Sequence, residues 1–208
     1  MGRVRVHQHV NPLSPYYGRE PQPIDLKAVF ADPAKPLLLD IGCARGRFLL
    51  RMAEVQPEWN YLGVEIREPL VDEANRLGRE ANLTNLHYKF CNAMLWLGRL
   101  LGDVPTSTLR AVTIQFPDPW FKKRHAKRRM VTRELVETVV GKLADGGEIF
   151  VQTDIEFLAE EMFELFRAET RITETEVKAF AIKTERENAV EAKGLPVFRA
   201  MFVSVART

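Results

Sequence analysis

The chain has 208 residues, enough for one α/β domain whose core needs no disulfides. Hydrophobic residues make up 46% and charged residues 28%, which excludes a disordered chain, and no apolar stretch approaches the ~20 residues of a membrane-spanning helix. The formal net charge is +2, yet seven basic residues and no acid fall between positions 121 and 133, so the rest of the chain carries −5. A cationic patch on an acidic body points to a local polyanion site.

Half of the 12 prolines lie in the first 36 residues, so residues 1–35 read as an extended or wrapping arm and not a helix. The tip is basic, with no apolar stretch behind it, which argues against a secretory signal, and Val6 stands where a myristoylation motif needs Ser or Thr. Val4 and Val6 alternate with Arg3 and Arg5, a pattern that suits an edge strand or a mobile tip. His7 and His9 lack further ligands at a useful spacing, so no metal is expected. Only Cys43 and Cys91 are present, in keeping with a reducing, cytoplasmic location.

From Pro36 onward, to residue 208, a single domain is expected. Short apolar runs at 37–41, 61–66, 86–91, 110–116 and 148–153 predict strands. Helical periodicity between them predicts helices around 48–53, 69–77, 94–101, 131–143 and 155–168, and two last strands fall near 172–177 and 197–205. Five successive β-then-α units imply a doubly wound, mostly parallel sheet with helices on both faces. Ligands then bind beyond the carboxyl ends of the strands, which hold Asp40, Glu65, Asn92, Asp118 and Asp154.

The first turn, Asp40-Ile41-Gly42-Cys43-Ala44-Arg45-Gly46, fails as a dinucleotide fingerprint because Ala44 and Arg47 stand where glycines are required. It fails as a phosphate loop too, since no Gly-Lys-Ser/Thr follows. Asp40 would repel a pyrophosphate but suits an ammonium group. Glu65 can accept both hydroxyls of a ribose, and the Asn92 amide can meet an adenine edge. Ammonium, ribose and adenine without phosphates describe S-adenosylmethionine; the alternative is that the loop glycines serve only the turn.

These residues resemble the bacterial tRNA (guanine-N7-)-methyltransferases, on the class I methyltransferase fold. The resemblance is carried by the first turn through Phe48, by Gly63-Val64-Glu65-Ile66 and by Asn92-Ala93. Its most specific part is Phe116-Pro117-Asp118-Pro119-Trp120 with the following Lys122-Lys123-Arg124-His125-Ala126-Lys127-Arg128-Arg129; Gln152-Thr153-Asp154 and Thr184-Glu185-Arg186-Glu187 continue it. It implies a seven-stranded Rossmann-like sheet, with methyl transfer from S-adenosylmethionine to N7 of a guanosine in the variable loop of tRNA. It further implies cofactor contacts from Asp40, Gly42, Glu65, Ile66, Asn92, Ala93 and Asp118, with Asp118 catalytic. Substrate contacts fall to Lys122, Asp154, Thr184 and Glu187, and RNA contacts to Arg124, His125, Lys127, Arg128 and Arg129. Three positions depart from the family pattern: Asp40 stands for Glu, Ala44 for Gly, and Arg186 for an aromatic residue.

Guanine N7 has a free lone pair and no proton to remove, so no general base is needed. Asp118, between two prolines, suits stabilisation of the positive charge that the guanine gains. Trp120 offers either a stacking face for a base drawn out of the RNA or packing beneath the loop. Competing readings are an exocyclic-amine methyltransferase, which Pro-Asp-Pro-Trp resembles loosely, and a non-catalytic RNA-binding module. Whether the chain is a monomer or a homodimer is open from sequence.

Overall fold

The structure is a computed structural model that describes residues 10–205. The readings of the basic tip, Arg3 to Val6, and of the His7/His9 pair lie outside the described residues.

Seven strands form one sheet: β1 (Leu37–Ile41), β2 (Asn60–Glu65), β3 (Leu86–Phe90), β4 (Leu109–Gln115), β5 (Glu148–Thr153), β6 (Ile172–Thr175) and β7 (Phe198–Ser204). Their order is β3-β2-β1-β4-β5-β7-β6. The first five run parallel, and β7 is antiparallel to both β5 and β6. Every residue of β1 and β2 is buried, as a strand covered on both faces requires. The pleat divides their side chains. Leu37, Leu39 and Ile41 join the core under α4 (Ala93–Leu100), α5 (Arg133–Lys142) and α6 (Glu156–Arg167); Leu38 joins the core under α2 (Arg47–Val55) and α3 (Glu68–Glu80).

Helix boundaries follow local chemistry. Gly46, at φ +71°, turns the chain into α2, and a Cβ there would come within 2.4 Å of the Tyr88 ring, so the turn admits only glycine. Pro69 occupies the first turn of α3. Thr132 caps α5 by accepting from the Leu135 N–H at 3.2 Å, which excludes Val131 from the helix that periodicity alone began there. Two short helices, α1 (Leu26–Val29) and α7 (Glu185–Glu191), carry too little apolar periodicity to be read from sequence.

Residues 10–36 are mostly irregular, with one 3-10 turn (Pro15–Tyr17) and α1. They lie on the domain: Ile24, Leu26 and Phe30 are buried in the larger core. The sheet order reverses at β1, whose neighbours are β2 and β4, and beyond that carboxyl edge the cavity opens.

Candidate active site

A cavity of about 510 Å³ is lined from the ends of the first five strands. Gly42 comes from β1, Glu65 and Ile66 from β2, Asn92 and Ala93 from β3, Asp118 from β4, and Asp154 from β5. Gly42 lies at φ +82°, and a Cβ there would meet the Met130 methyl at 2.9 Å, so this residue keeps the inner wall open.

Glu65 is buried and fully engaged. One carboxylate oxygen accepts from the Ala44 N–H at 3.0 Å and from Arg67 Nη2 at 3.4 Å; the other accepts from Arg67 N and Nε, both at 3.0 Å. Four donors match the roughly four lone-pair sites of a carboxylate, so an entering diol must displace the Arg67 guanidinium. Ala44, where glycine was expected, holds φ at +50°, a left-handed conformation costly for a residue with a Cβ.

Two residues expected at the cofactor are engaged within the protein. The Asn92 Nδ2 donates to the carbonyls of Pro12, at 2.8 Å, and Tyr17, at 3.3 Å. Asn92 lines the cavity while tying down the N-terminal segment, and Trp96 Nε1 adds a bond to the Gly18 carbonyl at 3.0 Å. Asp40 does not line the cavity. It is buried behind the wall, where Thr113 Oγ1 donates to it at 2.7 Å; its side chain is a methylene shorter than the expected Glu. Burial pushes its pKa up to about 6, against the bond from Thr113.

Asp118 stands exposed at the cavity mouth between Pro117 and Pro119. The flanking aromatics Phe116 and Trp120 lie at φ +51° and +44°, strained conformations for bulky residues, so the turn is held from outside. At its start the Phe116 N–H donates to the Gln152 carbonyl at 2.8 Å. At its end Arg129 donates to the carbonyls of Pro119, at 3.1 Å, and Trp120, at 3.3 Å, and pairs with Glu161.

Arg129, expected among the RNA contacts, is engaged within the chain. With 13% of its side chain exposed and its donors turned inward, it braces the turn. Arg128 lines the cavity with its guanidinium over the Trp120 ring, 4.9 Å from the centroid, so that face of Trp120 is covered by a cation. Lys122, Arg124 and Lys127 are exposed beside the mouth, on and next to a 3-10 helix (Lys123–Arg128). Desolvation, then the cations Arg128, Arg124 and Lys122, hold the His125 imidazole below its usual pKa.

Asp154 faces the cavity and is ion-paired with Arg186, which also lines it. Thr184 and Glu187 do not reach this cavity. Thr184 caps α7 by accepting from the Glu187 N–H at 3.1 Å. The buried Glu187 carboxylate accepts from Arg199 at 2.7 Å and Gln152 at 3.1 Å, so both residues fix the helix that presents Arg186. Pro12, Arg67 and Gln115 line the cavity without having been read from sequence. Gln115 had a signal, as the last residue of β4, one residue ahead of the Pro-Asp-Pro turn, whereas Pro12 had none. Among the described residues no group of His, Cys, Asp and Glu could hold a metal ion, and no helix is long and apolar enough to cross a membrane.

The sheet order, with a cavity at the switch point, defines a class I methyltransferase fold. Solved structures agree at the level of fold: the YcgJ protein of Bacillus subtilis matches with a TM-score of 0.56 at 13% identity, covering 88% of this chain and 97% of that one. An aminoglycoside resistance methyltransferase, NpmB1, matches with a TM-score of 0.54 at 16% identity, covering 86% and 90%. Residues 34–200 match the family model described as "Putative methyltransferase". Relatives named tRNA (guanine-N(7)-)-methyltransferase are 55% identical in Synechococcus elongatus, over 98% of both chains, and 49% identical in Trichormus variabilis, over 98% of this chain and 97% of that one. The chain belongs to the tRNA (guanine-N(7)-)-methyltransferase family.

Proposed function

We propose that this chain transfers the methyl group of S-adenosylmethionine to N7 of a guanosine in tRNA, within the variable loop. The observation that carries the reading is the strained Pro-Asp-Pro turn, which fixes Asp118 at the mouth of a nucleoside-sized cavity directly before a cationic segment. Family membership supports the same reaction.

The residues present fit the cofactor. Glu65 has the donor-accepting chemistry for a ribose once Arg67 moves aside, and Ile66 and Ala93 add apolar lining. Asp40, behind the wall, contributes negative potential toward an ammonium group. S-adenosylmethionine, when bound, supplies an electrophilic methyl on its sulfonium. The chain's task is to hold N7 in line and exclude water, since no proton has to leave N7. Asp118 stabilises the positive charge that guanine acquires and orients the base through its N–H groups. Asp154 is a second acceptor; a guanine donor would share it with Arg186. Lys122, Arg124 and Lys127 take phosphates, while the carboxylates meet base edges. A cytoplasmic location follows from this substrate.

The test is turnover in Asp118 variants. Asp118→Asn keeps the size and most hydrogen bonding but removes the charge. Its methyl transfer should fall on the order of 10²-fold while circular dichroism is unchanged, with Asp118→Ala lower still. Wild-type turnover in the Asn variant would eliminate the electrostatic role.

A further inference from the structure

The mouth of the cavity carries an aromatic ring with no task in the reaction described above. Phe121 lines the mouth yet is 67% exposed, and Phe157, 38% exposed, meets it edge-on with centroids 5.9 Å apart and planes at 62°. Phe121 follows the Asp118 turn after β4, and Phe157 lies in the first turn of α6 after β5, so the pair bridges the carboxyl ends of adjacent strands. The platform is braced: the Arg129 guanidinium lies 5.0 Å from the Phe157 centroid and is itself fixed by Pro119, Trp120 and Glu161. Exposed Lys122, Lys123, Arg124 and Lys127 follow directly in sequence.

An open aromatic ring amid cations matches single-stranded nucleic acid, in which phosphates and π faces alternate. A guanosine drawn from its stack into the cavity leaves the base beside it without a neighbour on one face. Phe121 lines the cavity and is mostly exposed, so its ring is open to a base beside the one that enters. A second copy of this chain is disfavoured as the occupant, because a two-fold contact here would bring the same cations together.

We propose that the Phe121 ring, braced by Phe157, stacks on the nucleobase next to the target guanosine and replaces the stack lost when that guanosine enters the cavity. This rests on the tRNA methylation reading. The test compares Phe121→Ala, Phe121→Leu and Phe121→Trp in the full chain, using unmodified tRNA transcript and S-adenosylmethionine. Calorimetry should show unchanged cofactor binding in all three, which controls for folding. The Ala and Leu variants should lose on the order of tenfold in tRNA affinity, the Trp variant should retain it, and the salt slope should stay at its wild-type value because no phosphate contact is lost. Wild-type affinity in the Ala variant overturns the proposal, as does a Leu variant equal to Phe, which would mean apolar cover without stacking. A shift in sedimentation of the Ala variant without change in tRNA affinity assigns the ring to a second copy and overturns it as well. Failure of the wild-type chain to bind or methylate tRNA defeats the parent reading first, before any variant is compared.

Discussion

A buried carboxylate is a titratable liability, and Asp40 is that residue. Its folded pKa of about 6 lies above the 3.8 of the exposed group, with burial as the main cause. Between those values the folded chain holds a proton that the unfolded chain has shed, so Asp40 contributes stability that is lost as pH rises from about 4 to about 6. A shift of about two units corresponds to ~3 kcal/mol at most. Asp40→Asn has no charge to bury and can still accept from Thr113. Its melting temperature should therefore rise relative to wild type as pH goes from 4 to 7. His87, whose pKa burial lowers to about 4, pushes stability the opposite way in the same window, but it is common to both proteins and cancels in the difference. A difference that stays constant across that range would mean that Asp40 is not a strained charge. The positive φ angles of Phe116 and Trp120 make the same point sterically: strain gathers where Asp118 is aimed.

At the scale of elements, the basic segment divides in two. Arg124 and Lys127 point to solvent, whereas Arg129 is folded inward on Glu161 and two carbonyls. The double variant Arg124→Ala/Lys127→Ala should weaken tRNA binding and lower the log–log salt slope by about 1.5, at roughly 0.7–0.9 per phosphate contact. Arg129→Ala should instead reduce turnover and loosen the Asp118 turn with little change in that slope. A slope unaffected by the double variant would place the phosphates elsewhere. The strands were legible in sequence because both faces of the sheet are covered: 37–41 is a near-continuous apolar run, 148–153 carries Ile149-Phe150-Val151 directly after an Asp-Gly-Gly turn, and the structure keeps those bounds. Helix α7 was not, since Glu187 and Val190 are its buried residues and no apolar face repeats; its trace was the Thr184-x-x-Glu187 cap spacing. Strand-end positions of the site follow from the α/β pattern, but side-chain pairings do not. Asn92 binds a carbonyl 80 residues away, and Arg129 reaches Glu161 across 32, separations that no local pattern encodes.

For the whole molecule, one sheet organises two chemistries at a single edge. The β1/β2/β3 side offers Gly42, Glu65, Ile66 and Ala93, the half proposed for the cofactor, with the N-terminal segment tied to it through Asn92 and Trp96. The β4/β5 side offers Asp118, Asp154 and the cations, a half suited to a base and its phosphates. Methyl transfer between the halves requires that donor and acceptor meet at the switch point, near Asp118. The most direct measurement is to incubate unmodified tRNA with methyl-labelled S-adenosylmethionine and the wild-type chain, digest to nucleosides and locate the label. Label in 7-methylguanosine, from a variable-loop position, is the expected result. Label on an exocyclic amine, on another base, or no transfer from a chain that binds the cofactor, would contradict it.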